Sequence, residues 1–341
     1  MVGAGASSEF HMPVGNELTG MISVVVNLKY DSAGRRVSGE EDIENALRQT
    51  SVASGGTRST NRYWAACNAI VGGMREAPSI DAFIHQRRNE PDIEVVGKIG
   101  IVYCILHQER VSNLHYDYRN VDDTINFAQV QQTWIAELRQ LLTGGCTVDE
   151  VADRLDQVKI ISFNYDRCIE HYFLHSIRNT YGLSERDAIE LTDRLDVIHP
   201  YGTVGELPRQ GLDKAVPYGE LSLHGRLHHL ASGIRTFTEQ AEDEEEQEKL
   251  GLAIQDSELI IFLGFHYHEQ NVQLLAQSMT GNARRVMGTA FGISKENQSV
   301  IKKLLADSFC GGQIGAVVLD DNKKCFEYMR ANSQLFGTIS V

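Results

Sequence analysis

Residues 158–173 read VKIISFNYDRCIEHYF, a short apolar run that ends at Asn164 and Asp166 before a helical pattern begins. Similar β-branched runs recur along the chain, each separated from the next by residues at helical spacing: VIHP (197–200), ELIIFLGF (258–265), RRVMGTAF (284–291) and GAVVLD (315–320). This alternation is typical of a doubly wound parallel sheet with helices on both faces. The sequence therefore predicts an α/β fold with a Rossmann-like sheet.

The long stretch between the first glycine turn and this alternating region follows a helical period. Residues 93–109, IEVVGKIGIVYCILHQE, are apolar nearly all round, which indicates a helix buried inside a bundle. We therefore expect a Rossmann-like core made of residues 1–22 and 156–341, with residues 23–155 as a large, mainly helical insertion.

Helix starts within the insertion are marked by capping residues. Ser38 with Glu41, and Thr147 with Glu150, have the spacing of capping boxes, and Ser79 can cap the helix that follows it. Gly144 and Gly145 then supply a stop signal.

Composition excludes several classes of function. The formal net charge of −14 disfavours binding to nucleic acid or to an anionic membrane, and no basic patch offsets it. Six cysteines occur without C-x-x-C spacing, as expected of reduced thiols. Neither a signal peptide nor a membrane-spanning apolar stretch is visible, so a cytoplasmic protein is expected.

The chain opens with a glycine turn, GAGAS, at residues 3–7. Such a turn lets backbone N–H groups approach a pyrophosphate, although ordinary strand exits also contain glycine. Only Met1 and Val2 precede the turn, whereas a central strand should have about five residues there. We therefore expect the natural start to lie further upstream.

Polar residues follow two of the predicted strands. Asn164 and Asp166 follow the first, and His199 follows the next one along the chain. Open α/β sheets bind ligands at the carboxyl ends of their strands. Asp166 is equally explained as a helix cap, and a lone histidine is often structural, whereas Asn164 has no such alternative role.

A third strand exit, GFHYHEQN, covers residues 264–271. His266 and His268 lack a nearby cysteine or aspartate that would complete a ligand set, so no metal site is predicted. His224, in LHG, is a rival to His199 for a catalytic role.

In this order, four segments resemble the sirtuin superfamily: GAGAS with Pro13 downstream, FNYD (163–166), HPYG (199–202) and GFHYHEQN (264–271). The resemblance covers the turn and residues 158 to about 290, but not 23–155. Sirtuin deacylases carry paired C-x-x-C zinc ligands, which this sequence lacks. It is similar instead to the sirtuin-like NAD hydrolases of bacterial anti-phage defence, in which a helical insertion replaces the zinc module.

The resemblance implies NAD as the substrate, no zinc, and release of nicotinamide and ADP-ribose. It implies that Asn164 orients the ribose and the attacking water, that Asp166 holds the nicotinamide-ribose end, and that His199 accepts a proton. The NAD-binding residues that it implies are Gly3, Ala4, Gly5, Ala6, Ser7, Pro13, Gly202, Gly264, Phe265 and His266.

Three other functions stay open at this point. The chain could sense NAD or ADP-ribose without turnover, act as an NAD-dependent protein deacylase, or serve as an interaction protein whose helical part is the active region. For a hydrolase of this type, the resemblance implies that NAD hydrolysis is inhibited until it is needed. The inhibition would come from homo-oligomeric assembly, from the helical part or from a defence-system partner.

Overall fold

The computed structural model describes residues 1–120, 123–208, 215–223, 225–255, 257–278, 283 and 285–339. Within these residues the chain is a mixed α/β protein with small parallel sheets. The helices of the first half are α1 (Ala4–Ser7), α2 (Gly15–Val25), α3 (Glu41–Ala53), α4 (Trp64–Gly73), α5 (Ile80–Gln86), α6 (Pro91–Val111), α7 (Trp134–Thr143) and α8 (Val148–Asp156). Those of the second half are α9 (Cys168–Tyr181), α10 (Glu185–Thr192), α11 (Leu227–Ala231), α12 (Phe237–Glu242), α13 (Glu244–Ile254), α14 (Glu269–Ser278), α15 (Lys295–Phe309), α16 (Cys325–Ala331) and α17 (Ser333–Ile339).

Five short strands form two parallel sheets. They are β3 (Lys159–Ile161), β4 (Asp196–Ile198), β5 (Leu259–Phe262), β6 (Arg285–Thr289) and β7 (Val317–Asp320). Strand β3 pairs with β4, and β6 lies between β5 and β7. All five coincide with the apolar runs of the sequence, so the predicted strands are confirmed.

The first residues of the chain join the two sheets. The Val2 N–H donates to Ile161 O at 2.8 Å on one side, and the Gly3 N–H donates to Leu263 O at 3.0 Å on the other. Val2 forms parallel bridges to both Ser162 and Leu263. The spatial order is therefore β4, β3, Met1–Gly3, β5, β6, β7, and the polar residues that follow β3, β4 and β5 lie at one edge.

The segment from α2 to α8 is mainly helical, as predicted, with one exception. β1 (Lys29–Tyr30) and β2 (Arg36–Ser38) form an antiparallel ribbon. The capping box predicted for Ser38 and Glu41 is wrong, because Ser38 lies in β2 and Glu40 is the N-cap of α3 without a side-chain bond.

The other predicted caps are confirmed. The Ser79 side chain accepts from Ala82 N at the start of α5, and Thr147 and Glu150 form a reciprocal capping box on α8. α7 ends at Thr143, before the predicted stop at Gly144. The division into residues 1–22 with 156–341 and 23–155 stays a prediction, and α2 crosses its first boundary.

A buried ion pair connects the helical segment to the sheet. Arg167, which precedes α9, donates from Nη2 to Glu109 Oε2 of α6 at 2.5 Å and from Nε to Glu109 Oε1 at 3.1 Å. Their side chains are 2% and 0% exposed. The Gly219 N–H also donates to Glu109, at 3.0 Å, and Arg167 Nη1 donates to Val216 O at 2.6 Å. These contacts hold α6, the exit of β3 and the 216–219 loop together.

Among the described residues, no helix combines the length and the apolar character needed to cross a membrane.

Candidate functional site

Asn164 lies between the exit of β3 and the glycine turn. Its side chain is buried, and Nδ2 donates to Gly3 O at 3.1 Å and to Ser7 Oγ at 2.7 Å. The amide therefore ties together the two ends of the 3–7 turn, and the structure brings Asn164 and the turn together.

His199 reaches the same place from the exit of β4. Its Nδ1 lies 2.9 Å from the backbone oxygen of Asn164, and its Nε2 lies 2.9 Å from Glu170 Oε1. Asn164 and His199 thus converge, as the sequence predicts for neighbouring strand ends.

The hydrogen bonds of His199 favour its protonated form. Both ring nitrogens face acceptors, a carbonyl and a carboxylate, and both therefore donate as in an imidazolium. Burial lowers the pKa of His199, but the charge of Glu170 and the hydrogen bond to it outweigh burial and raise the pKa above 6.5. Burial likewise raises the pKa of Glu170, but His199 holds it below 4.5. The arrangement therefore favours the imidazolium, a form that has no lone pair with which to accept a proton.

Glu170 is a residue that sequence reasoning missed. It lies in the first turn of α9, and its second oxygen, Oε2, is shielded from solvent without a hydrogen-bond partner. The available signal was its position four residues after Asp166, which places both on one side of the helix start.

The ion pair between His199 and Glu170 predicts a pH-dependent stability. The lowered pKa of Glu170 contributes stability that is present above pH 4.5 and is lost as the pH falls through its folded pKa. The raised pKa of His199 contributes stability that is present below pH 6.5 and is lost as the pH rises through its folded pKa. We expect Glu170→Gln to lower the free energy of unfolding by about 1.5–3 kcal/mol between these pH values, and by less outside them.

Urea denaturation at several pH values measures the free energy of unfolding of the original chain and of Glu170→Gln. Glu185→Gln, on the exposed side of α10, is the matched control and should show little change at any pH. A destabilisation by Glu170→Gln that stays constant from pH 4 to pH 9 would contradict the ion pair.

Asp166 is buried at the start of α9, where its Oδ1 accepts from Cys168 N at 3.1 Å. The N-cap of α9 is Arg167, without a side-chain bond, so Asp166 is not the cap considered from the sequence; its oxygen instead closes an Asx-type turn before the helix. A role for Asp166 toward a ribose stays a prediction.

The glycine turn is closed in this structure. The Gly3 N–H donates to Leu263 O, the Gly5 N–H to Gly264 O at 3.0 Å, and the Ala6 N–H to Gly3 O at 2.9 Å. A Cβ on Gly3 or on Gly5 would lie 2.7 or 2.9 Å from Gly264 O, so both glycines are required by close backbone packing. A phosphate could bond these N–H groups only by replacing their present acceptors, the carbonyl oxygens of Leu263, Gly264 and Gly3.

The exit of β5 contributes packing and one exposed side chain. Gly264 has a positive φ of 57°, and its N–H donates to Thr289 Oγ1 at 2.9 Å. Phe265 is buried, with its ring centroid 5.2 Å from that of Phe163. His266 is exposed beside His268, and their ring centroids lie 5.0 Å apart.

Three further predicted residues remain, of which Gly202 lies beside this cluster because its N–H donates to His199 O at 2.9 Å. Gly202 packs against Gly233, whose carbonyl oxygen would lie 1.9 Å from an added Cβ. Pro13 lies half-buried just before α2. His224 falls outside the described residues, so its rivalry with His199 stays open.

Two clefts lie away from the strand exits. One, of about 680 Å³, lies among α7, α9 and α16, and the other, of about 350 Å³, lies beside Tyr30 and Trp64. Neither includes Asn164, His199 or the glycine turn among its lining residues.

Within the described part of the chain, no three histidine, cysteine or acidic side chains are grouped as metal ligands would be. No protein-family model, curated protein or solved structure matches this chain.

Proposed function

We propose that this chain binds NAD at the edge formed by the glycine turn, Asn164 and His199, and hydrolyses it to nicotinamide and ADP-ribose. The observation that carries the proposal is the position of Asn164, whose side chain contacts both ends of the turn while its carbonyl oxygen contacts His199. The resemblance to sirtuin-like NAD hydrolases supplies the reaction.

The order of the parallel segments supports a dinucleotide site. Numbered along the chain from Met1–Gly3, the order is 3-2-1-4-5-6, which is the order of a Rossmann-like sheet. Dinucleotides bind such sheets where the order reverses, which here is beside the 3–7 turn and the exits of β3 and β5.

The proposed reaction breaks the bond between C1′ of the ribose and the nicotinamide nitrogen. Nicotinamide leaves as a neutral molecule, the oxygen of water bonds to C1′, and one proton is released. The protein must orient the ribose and stabilise the cationic sugar, for which the side-chain oxygens of Asn164 and Glu170 are suitable groups. His199 can take the water proton only after it has lost one of its own.

Turnover of NAD by the purified chain tests this proposal. We expect release of nicotinamide and ADP-ribose in equal amounts, as measured by chromatography. The rate of nicotinamide release should be about 100-fold lower in Asn164→Ala and in His199→Gln. Asn297→Ala, which replaces an exposed amide on α15, is the matched control and should keep the rate of the original chain.

A second function, NAD sensing without turnover, is favoured by the raised pKa of His199 and by the acceptors that both of its ring nitrogens face. An imidazolium with both N–H groups engaged cannot act as a general base. Saturable NAD binding that Asn164→Ala abolishes, with no nicotinamide released, would support the sensor and contradict the hydrolase. A chain that neither binds nor cleaves NAD would contradict both.

We further propose that the protein acts in the cytoplasm. We also propose that its NAD hydrolysis is inhibited by self-assembly or by a defence-system partner. The net charge of −14 supports protein or small-molecule partners rather than nucleic acid. Light scattering coupled to size exclusion measures the mass, and an active enzyme that is monomeric at all concentrations would rule out control by self-assembly.

A further inference from the structure

The larger cleft is distinct from the proposed NAD edge. Its walls come from three helices, each of which presents side chains spaced by one or two helical turns. Tyr172 and Ser176 of α9, Phe326 and Arg330 of α16, and Ala136 and Gln140 of α7 are such i,i+4 pairs. Its volume of about 680 Å³ lies within the range of small-molecule sites.

Two arginines line this cleft without a carboxylate partner. Neither Arg139 nor Arg330 forms an ion pair with any residue that the structure describes, although the chain has 46 acidic and only 32 basic residues. The Nε of Arg139 is shielded from solvent and has no hydrogen-bond acceptor. A guanidinium that lines a cleft without a carboxylate partner favours an anionic ligand in that cleft.

The remaining lining residues suit the other parts of a nucleotide. Phe326 lies under Arg330, with the guanidinium carbon 5.8 Å from the ring centroid, and the buried ring of Tyr172 lies edge-on to that of Phe127. Glu137 is the single carboxylate among the described lining residues, and carboxylates accept hydrogen bonds from ribose hydroxyls.

From these contacts we infer that the cleft among α7, α9 and α16 is a second ligand site, which binds a nucleoside monophosphate. Arg139 and Arg330 bind the phosphate, for which a planar guanidinium fork is suited. The half-buried rings of Phe127 and Phe326 contact the base, and Glu137 contacts the ribose. This inference does not depend on the proposed NAD reaction.

Titration calorimetry with AMP tests the inference on the full chain. We expect AMP to bind with a dissociation constant in the micromolar range, and adenosine, which lacks the phosphate, to bind at least tenfold more weakly. Arg139→Gln and Arg330→Gln should each weaken AMP binding about tenfold or more, because each removes one charged donor to the phosphate.

Two control variants test whether AMP binds in this cleft rather than at the strand edge, and whether the loss of an arginine charge alone weakens binding. Arg186→Gln removes the same charge from the exposed side of α10 and should leave AMP binding unchanged. Asn164→Ala should also leave it unchanged, because Asn164 does not line the cleft. Circular dichroism shows whether each variant is folded, and Arg139→Lys, which keeps the charge but not the fork, should bind with intermediate affinity.

The inference is overturned if neither AMP, ADP nor ribose 5-phosphate binds at millimolar concentration. It is equally overturned if these ligands bind with unchanged affinity in both arginine variants, or if Asn164→Ala rather than the arginine variants abolishes binding.

Discussion

Replacing Glu109 by alanine is expected to lower the free energy of unfolding by about 3–5 kcal/mol, because it leaves the charge of Arg167 buried without a partner. Arg167 is 2% exposed, and its other acceptors are the uncharged backbone carbonyl oxygens of Gly205, Val216 and Pro217. The variant also removes the acceptor of the Gly219 N–H. Urea denaturation followed by far-ultraviolet circular dichroism measures the loss.

A surface ion pair provides the control for this prediction. Arg194 and Asp156 are paired with 42% and 48% of their side chains exposed, and Asp156→Ala should cost less than about 1 kcal/mol. Replacing both buried partners, in Glu109→Leu with Arg167→Met, should recover part of the stability because no unpaired charge remains. A loss below about 1 kcal/mol in Glu109→Ala would show that the pair does not hold the two segments together.

The second large effect is expected at Gly264. Gly264→Ala should cost about 2–4 kcal/mol, because alanine at a φ of +57° is strained and its Cβ would lie 2.0 Å from Ala6 N. The backbone cannot retreat freely, since Gly5 N donates to Gly264 O and Gly264 N donates to Thr289 Oγ1. We expect the variant to separate the glycine turn from β5 and to lose stability.

Gly292→Ala isolates the contribution of backbone conformation. Gly292 has a φ of +76° but nothing within 4 Å of an added Cβ, so only the left-handed strain of about 1 kcal/mol applies. The two variants should differ in their loss of unfolding free energy, measured by thermal or urea unfolding, and that difference is the cost of the steric clash at Gly264. Equal losses in both variants would contradict the close approach of the turn to Gly264.

The strands and their order of appearance could be predicted from the sequence because each is a short apolar run bounded by polar residues. The same pattern gave the convergence of Asn164 and His199, since adjacent parallel strands end at one edge. Residues 93–109 are apolar nearly all round, which likewise predicted a buried helix, and α6 is one. The antiparallel ribbon of β1 and β2 was missed, because two strands of two and three residues have no measurable period.

The hydrogen bonds within the site could not be predicted in the same way. The sequence identifies His199 but not which atoms its two nitrogens face, and these atoms decide its protonation. Nor does it reveal that the N–H groups of Gly3, Gly5 and Ala6 are already hydrogen-bonded. Both properties depend on how Glu170 and Gly264 approach from distant parts of the chain.

The contacts of Trp134 supply an optical reporter of the glycine turn. Its indole Nε1 donates to Ala6 O at 3.1 Å, its backbone N–H donates to Glu9 at 2.7 Å, and its side chain is 1% exposed. The other tryptophan of the chain, Trp64, is 45% exposed. A Trp64→Phe chain therefore emits from one buried indole, and a red shift of its fluorescence would record the moment at which the turn opens, without any label.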